Sequence, residues 1–230
     1  MGDKETVLNP SEARAYYDRF GKKQDAQGFY EDPALDDLIA HAGFNDAQKV
    51  FEFGCGTGKF AARLLEGHLP PSATYLGCDV SPTMVGLAEQ RLASYGERAK
   101  VVLSDGTVHF PLPDSSVDRV VSSYVLDLLS EEDARRFFAE VYRVLTPAGQ
   151  LCLASLTHGV TVPSRMVALL WKAIFHARAS LVGGCRPIRI EDYIDQDRWQ
   201  LEYRNVLTPF GVPSEVLVLV PTAILYKSPR

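Results

Sequence analysis

The residues best suited to chemistry in this chain form an acidic, glycine-rich turn at the end of an apolar run. Glu52 is followed by Gly54, Gly56 and Gly58 at alternate positions. Glycine lacks a Cβ, so a ligand can approach the backbone of such a turn closely. A second apolar run ends in Asp79, where a carboxylate can accept hydrogen bonds from ribose hydroxyls. The pattern predicts a pocket for a nucleoside-bearing cofactor.

Three interpretations of this turn compete. The simplest is a tight strand-to-helix connection that binds nothing. The second is the dinucleotide fingerprint Gly-x-Gly-x-x-Gly, which fits poorly because position 59 is Lys and position 60 is Phe. The third is the S-adenosylmethionine loop, acidic-x-Gly-x-Gly-x-Gly, which residues 52–58 match in full.

With this turn, the stretch from about Val50 to Leu156 resembles the class I S-adenosylmethionine-dependent methyltransferases. Within them it is most similar to the broad group that contains the ubiquinone/menaquinone C-methyltransferases and many small-molecule methyltransferases. The pattern at residues 110–118 also matches that family. The resemblance implies S-adenosylmethionine as cofactor and S-adenosylhomocysteine as product, and it leaves the methyl acceptor open.

The resemblance also implies roles for individual residues on the cofactor side. It places Asp79 on the ribose, Val80 and Met84 beside the adenine ring, and Asp105 opposite the adenine amine; Met84 is equally compatible with the core. A carboxylate facing an N–H donor is sound chemistry, although Asp105-Gly106 also reads as an ordinary turn. The predicted cofactor-binding set is Glu52, Phe53, Gly54, Cys55, Gly56, Gly58, Asp79, Val80, Met84, Asp105, Gly106 and Ser122.

The acceptor side gives weaker signals. Three residues are catalytic candidates, and each has an ordinary alternative: Tyr17 as helix packing, Asp127 as a helix-start carboxylate, and His158 as a surface or core histidine. Tyr16, Cys185 and Arg186 join them as acceptor-side candidates. Arg186 suits a carboxylate or phosphate, or an ion pair with Glu191 or Asp192. Methyl transfer depends mainly on proximity, so the lack of an obvious base does not count against it.

Hydrophobic patterning and capping signals predict alternating strands and helices, hence a doubly wound parallel sheet. Strands are expected at 49–53, 74–78, 100–103, 117–121, 150–155, 199–206 and 216–220, and the last two should form an antiparallel pair. Helices are expected at 9–20, 32–43, 57–66, 81–95, 130–145 and 164–180, with 21–30 as a polar loop. The fold class is α/β: a Rossmann-like class I methyltransferase fold with a seven-stranded, mostly parallel sheet, an antiparallel last strand and helices on both faces.

Bulk properties limit the remaining possibilities. A chain of 230 residues suggests one domain over 1–230, with an N-terminal helical lid at 1–45 and an acceptor-side cover at 157–195. The net charge of −5 argues against a general nucleic-acid binder. The four cysteines lack metal-ligand spacing, so no metal site is expected and reduced thiols in the cytoplasm are the simplest interpretation. Neither a signal peptide nor a spanning apolar run is evident.

One asymmetry concerns the stretch from Val141 to Ile190, which contains no Asp or Glu but six cations. Within it, apolar residues recur at helical spacing between 166 and 181. The ordinary interpretation is a helix packed on the sheet with its cations in water. The alternative is an amphipathic cover over an anionic or lipid-like acceptor, in peripheral contact with a membrane surface.

These observations favour methyl transfer from S-adenosylmethionine to a small-molecule or lipid/quinone-like acceptor. The alternatives are a protein methyltransferase, a non-catalytic module that binds the cofactor, and, least favoured, an NAD(P)-dependent oxidoreductase. The sequence leaves the acceptor, the acceptor atom and the oligomeric state open, because one fold hosts many acceptors.

Overall fold

A seven-stranded sheet organises the protein, whose computed structural model describes residues 7–222. In spatial order the strands run β3-β2-β1-β4-β5-β7-β6. Strand β7 is antiparallel to both of its neighbours, and the other pairings are parallel. This confirms the predicted fold class and the antiparallel pair at the edge. The strands are β1 (Lys49–Phe53), β2 (Thr74–Asp79), β3 (Ala99–Leu103), β4 (Val117–Ser123), β5 (Leu145–Leu156), β6 (Trp199–Leu207) and β7 (Ser214–Pro221).

Helices cover both faces of this sheet and create two apolar cores. Successive side chains of a strand point to opposite faces, so Val50 joins the cluster beneath Leu38 and Leu64, whereas Phe51 joins the cluster with Phe137. The described helices are α1 (Pro10–Phe20), α2 (Gly28–His41), α3 (Lys59–Gly67), α4 (Pro82–Leu92), α5 (Glu131–Val144) and α6 (Val162–Arg178).

The capping signals located most helix starts correctly. Asn9 caps α1 and forms the predicted capping box with Glu12. Ser81 and Ser130 cap α4 and α5 through their side chains. Helix α4 nevertheless ends at Leu92, earlier than predicted, and the chain continues as a 3₁₀ segment. Strand β5 starts five residues earlier than predicted, because Leu145 already pairs with β4.

The prediction for residues 21–33 was wrong. Residues 21–27 form a 3₁₀ segment, and α2 begins directly after it at Gly28, so Pro33 lies inside the helix. Proline there removes a helical hydrogen bond and crowds the carbonyl of the preceding turn, so the helix needs support from tertiary contacts. The ring of Tyr30 is buried, with centroids 5.7 Å from Tyr124 and 6.3 Å from Trp171. This tertiary packing holds the first turn in helical form, which local sequence cannot reveal.

Within residues 7–222, no helix is both long enough and apolar enough to cross a membrane.

Candidate active site

The main cleft opens at the carboxyl ends of the parallel strands, where open α/β sheets bind ligands. It has a volume of about 320 Å³. The ends of four strands form its floor, and the segment before α1 together with α1 itself forms one wall. The residues that line the main cleft include Val7, Leu8, Tyr17, Gln24, Phe53, Gly54, Asp79, Val80, Ser104, Gly106, Ser123, Tyr124, Val125, Leu128, Leu129 and Asp133.

The glycine turn has a left-handed backbone, which glycine adopts readily. Gly54, Gly56 and Gly58 have φ values of +79°, +53° and +72°. A Cβ on Gly54 would lie 2.3 Å from Cγ2 of Val125 across the cleft. At this position glycine is therefore required by the backbone conformation and by the close approach of the neighbouring strand end.

Asp79 connects the turn to the end of β2. Its carboxylate accepts hydrogen bonds from the backbone N–H groups of Gly56 (2.9 Å) and Ser81 (2.9 Å). Burial raises the pKa of Asp79, and these backbone donors act in the opposite direction. Asp79 and Val80 both line the main cleft, so the predicted ribose-binding residue lies on the cleft wall.

Glu52 lies behind the turn rather than in the main cleft. It faces a second cavity of about 50 Å³ that also contains Cys55 and Gly56. The Tyr75 hydroxyl donates a 2.5 Å hydrogen bond to the buried Glu52 carboxyl. Burial raises the pKa of Glu52 to about 7, and the bond from Tyr75 opposes this shift.

Besides Glu52, six predicted cofactor residues do not line the main cleft: Cys55, Gly56, Gly58, Met84, Asp105 and Ser122. Cys55 and Gly56 line the second cavity instead. Met84 is fully buried in the core. Ser122 is also buried and donates to the Phe53 carbonyl at 3.1 Å, so it joins β4 to β1. The exposed Asp105 carboxylate accepts from both the N–H and the hydroxyl of Thr107. For Ser122 the reason is strand alternation, since the next residue, Ser123, reaches the cleft instead.

Of the three catalytic candidates, Tyr17 alone lines the main cleft. Its hydroxyl lies 3.5 Å from the Gly183 carbonyl and 4.0 Å from the Cys185 sulfur. Burial raises the pKa of Tyr17 well above its usual range, and Cys185 and Asp127 act in the same direction. The phenol therefore stays protonated at neutral pH and can donate a hydrogen bond. His158 is exposed at the end of β5 and does not line this cleft.

Asp127 is fully buried behind the cleft, in a 3₁₀ turn after β4. Neither carboxylate oxygen has a hydrogen-bond partner among the residues the structure describes. Burial raises the pKa of Asp127 to about 7, and the nearby Arg186 opposes this shift. The guanidinium of Arg186 donates to the main-chain carbonyls of Asp127 (3.1 Å) and Leu129 (2.9 Å). Arg186 is thus buried and structural in these contacts, and Glu191 pairs with Arg204 instead.

This buried carboxyl predicts a pH-dependent stability difference. The folded pKa of Asp127, about 7, exceeds the unfolded value of about 3.9. The folded state therefore holds the Asp127 proton more tightly than the unfolded state does. The stabilisation that results is fully present below about pH 4 and is lost as the pH rises through about 7. We expect Asp127→Asn to match the wild type near pH 4 and to be more stable at pH 8 by a few kcal/mol, at about 1.4 kcal/mol per pKa unit. Urea unfolding at both pH values measures this.

Asp46→Asn is the matched control, because Asp46 is exposed and makes no side-chain hydrogen bond or ion pair within residues 7–222. It should leave the pH dependence of unfolding unchanged. An Asp127→Asn protein whose stability falls with pH as steeply as the wild type would contradict the assignment.

Sequence reasoning missed one polar residue at the turn. Gln24 lines both cavities, and its side-chain oxygen lies 2.6 Å from where a Cβ of Gly56 would be. That oxygen is buried and has no hydrogen-bond partner within residues 7–222. Its segment was predicted to be a loop, so no local signal marked it. Val7 and Leu8 were missed in the same way.

Tyr124 stands out at the end of β4 because it combines a positive φ of 55° with a buried ring. Such backbone is unusual for a bulky residue and is frequent at ligand sites. Its hydroxyl donates to Ser214 at 2.8 Å, which holds the ring against the antiparallel edge. Among the described residues, no cluster of His, Cys, Asp or Glu could hold a metal ion, and the four cysteines are free thiols.

Comparison with known proteins agrees with this geometry. Residues 50–149 match the model of a family described as methyltransferase domain. The chain is 31% identical over 144 residues to malonyl-[acyl-carrier protein] O-methyltransferase of Marinomonas sp., covering 62% of this chain and 51% of that one. It is 29% identical over 126 residues to tRNA N(3)-methylcytidine methyltransferase Mettl2 of Drosophila melanogaster, covering 54% and 39%. The chain thus spans about half the length, or less, of these curated relatives.

A solved structure extends the likeness to most of the fold. Geranyl diphosphate C-methyltransferase from Streptomyces coelicolor A3(2), in complex with Mg²⁺, geranyl diphosphate and S-adenosyl-L-homocysteine, has a TM-score of 0.65 at 12% identity. The match covers 84% of this chain and 79% of that one, and at this identity it shows the fold. Residues 50–149 thus carry a methyltransferase domain, and the sheet has the Rossmann-like class I methyltransferase fold, as the sequence indicated.

Proposed function

We propose that this protein binds S-adenosylmethionine in the main cleft and transfers its methyl group to a small-molecule or lipid-like acceptor, releasing S-adenosylhomocysteine. The proposal rests on one observation: at the strand ends, Gly54, Gly106 and Asp79 all line the main cleft. The bound cofactor would supply an electrophilic methyl group on a sulfonium. The described side chains bind, orient and exclude water, which is the main demand of such a reaction.

The charge of the cleft supports this cofactor over a nicotinamide dinucleotide. No Lys or Arg lines the main cleft within the described residues, and its charged groups are Asp79 and Asp133. An acidic wall favours a cationic ligand and disfavours a pyrophosphate. The buried oxygen of Gln24 offers an acceptor beside the turn, which suits the ammonium group of an amino acid. The residues present therefore fit S-adenosylmethionine.

For individual residues, we propose that Asp79 accepts from the ribose hydroxyls and that Val80 packs beside the adenine. Gly54, Gly56 and Gly106 let the ligand approach the backbone. Ser123 is proposed in place of Ser122 as the contact from β4, because its side chain is on the cleft side. A role for Asp105 at the adenine amine stays a prediction that requires its carboxylate to leave Thr107.

Two segments give the main cleft an apolar lining: Val125, Leu128 and Leu129 after β4, and Val7 and Leu8 before α1. We propose that these residues form its acceptor end. Such a lining favours a compact apolar group over a polar metabolite or a nucleotide base. This supports the small-molecule or lipid-like class, and it is the reason we place a protein acceptor second. The cytoplasmic location stays a prediction.

Within that end of the cleft, we propose that Tyr17 positions the acceptor as a hydrogen-bond donor. Its raised pKa keeps the proton on the phenol, and its hydroxyl lies beside Gly183 and Cys185. Asp127 is close enough to influence the Tyr17 phenol electrostatically but does not line the cleft. We therefore propose a positioning role for Asp127, and we assign His158 no contact with the acceptor.

The test is transfer of label from methyl-labelled S-adenosylmethionine into a cell extract that is split into organic, aqueous and protein fractions. We expect enzyme-dependent label in the organic fraction, because the acceptor end of the cleft is apolar. Asp79→Ala is the matched negative control, since it removes a proposed cofactor contact.

The other fractions correspond to the competing functions. Label in the protein fraction would favour a protein methyltransferase, and label in the aqueous fraction would reject the lipid-like acceptor in favour of a polar metabolite. Cofactor binding by calorimetry without label in any fraction would favour a non-catalytic module. Binding of NAD(P) instead of S-adenosylmethionine would reject the proposal.

A further inference from the structure

Helix α6 has apolar residues on two opposite faces, and only one of these faces packs against the domain. Ser164, Ala168 and Phe175 are buried against the domain. On the opposite side, four large apolar side chains are 63–71% exposed: Val162, Met166, Leu169 and Leu170. Their spacing of four, seven and eight residues forms one stripe along the helix. A stripe of this kind in contact with water is unusual for a monomeric domain.

The exposed apolar surface continues beyond the helix. Val160 and Leu181 flank α6 in sequence, and both are more than half exposed. Phe210 lies in a loop next to α6, since a Cβ on the following glycine would be 3.2 Å from the Val167 side chain. Of the eleven large hydrophobic residues exposed in the described chain, eight belong to this surface: Phe29, Val160, Val162, Met166, Leu169, Leu170, Leu181 and Phe210. We call these eight residues the α6 surface.

Phe210 adds a second, independent observation. Its side chain is 81% exposed and its φ is +52°, a strained conformation for a bulky residue. Its ring stacks edge-on with that of Phe29 at 5.6 Å, and Phe29 is itself 55% exposed. Nothing in the fold gains from presenting this ring to water, whereas an aromatic ring at a loop tip suits the interface of a bilayer.

The charges around the α6 surface distinguish between a second copy of the chain and a membrane as its binding partner. Arg165, Lys172 and His176 lie along one side of the apolar stripe, and Arg178 and Arg189 follow; all are exposed. The stretch from Val141 to Ile190 contains no Asp or Glu, although the whole chain carries a net charge of −5. A two-fold dimer through this surface would bring the same basic flank of both copies together, and like charges repel. An apolar stripe bordered by cations is instead the pattern of a helix that lies in the plane of an anionic membrane.

We propose that the α6 surface docks the protein on an anionic lipid bilayer, with the apolar stripe inserted and the cations among the headgroups. Helix α6 follows β5, which ends at the same edge of the sheet as the main cleft. Trp171 of α6 donates to the Cys185 carbonyl at 3.0 Å, and Cys185 lies beside Tyr17 of the cleft, so α6 packs next to the cleft. The docking itself does not depend on methyl transfer, so the two proposals fail separately.

The experiment is flotation of the full chain with two kinds of vesicle: phosphatidylcholine alone, and equimolar phosphatidylcholine and phosphatidylglycerol. We expect binding to the anionic vesicles, little binding to the neutral ones, and weaker binding as salt rises. Leu169→Gln combined with Leu170→Gln should lower partitioning by about tenfold or more. Arg165→Gln combined with Arg178→Gln should lower it on anionic vesicles by several-fold.

Leu201→Gln is the matched control, because Leu201 is 48% exposed on β6, outside the α6 surface. It should float like the wild type. Thermal unfolding checks that each variant is folded, and S-adenosylmethionine binding checks the main cleft independently. Absence of flotation, or equal flotation of the double leucine variant, would overturn the proposal. A dimer in sedimentation equilibrium that the same double substitution dissociates, without vesicle binding, would assign the surface to a second copy and would equally overturn it.

Discussion

Asp79→Ala is expected to weaken S-adenosylmethionine binding by more than about tenfold, measured by calorimetry. The variant loses the proposed acceptor for the ribose hydroxyls, and a hydrogen bond to a charged group contributes roughly 1.5–3 kcal/mol. It also releases the N–H groups of Gly56 and Ser81, which the carboxylate holds at 2.9 Å. The glycine turn and the start of α4 would both lose a fixed position.

Asp118→Ala is the control that distinguishes a loss of cofactor binding from a loss of stability. The Asp118 carboxylate also accepts from two backbone N–H groups, those of Gln48 (2.9 Å) and Lys49 (3.0 Å). These lie at the start of β1, at the end of the sheet opposite the cleft. We expect a comparable loss of stability with unchanged cofactor affinity. A folded Asp79→Ala protein that binds as tightly as the wild type would show that the ribose assignment is wrong.

Gly54→Ala is expected to lower the free energy of unfolding by roughly 2–5 kcal/mol, because left-handed backbone costs an L-residue about 1–2 kcal/mol and overpacking adds about 1–3 kcal/mol. The new methyl group would lie 2.3 Å from Cγ2 of Val125, a branched side chain with little freedom to move. The same shift would narrow the main cleft at its floor. Chemical denaturation measures the stability.

Gly86→Ala is the control for this substitution. Gly86 lies exposed in α4, and a Cβ there meets nothing within 4 Å. Alanine in that position should stabilise by about 0.5–1 kcal/mol. If the two alanine variants were equally stable, the packing of Gly54 against Val125 would not be as described.

The sequence predicted the part of this protein in which local chemistry determines structure. The glycine turn requires positive φ, and Asn9, Ser81 and Ser130 cap helices through their own side chains. Such signals depend on a few neighbouring residues, so they can be read without knowing the fold. The same holds for the fold class, because alternating strands and helices predict a parallel sheet and the family resemblance implies its antiparallel last strand.

What the sequence could not predict depends on contacts between distant segments. The helical start of α2 depends on packing of Tyr30 against Tyr124 and Trp171. Gln24 approaches the glycine turn from a 3₁₀ segment that resembles a polar loop. The choice between neighbouring serines at the end of β4 depends on which face of the sheet each one occupies, and a shift by one residue reverses it.

Helix α1 has a consequence for how fast a ligand leaves. Its residue Asp18 accepts a 2.6 Å hydrogen bond from the Ser81 hydroxyl, and the Ser81 N–H donates to Asp79. Asp18 also accepts from the Thr83 N–H at 3.3 Å, so two hydrogen bonds hold α1 against the start of α4 beside Asp79. Opening of these bonds is expected to speed the release of a cofactor bound beneath α1. The rate of release would then depend on the motion of the helix, whereas the affinity depends also on the contacts in the cleft.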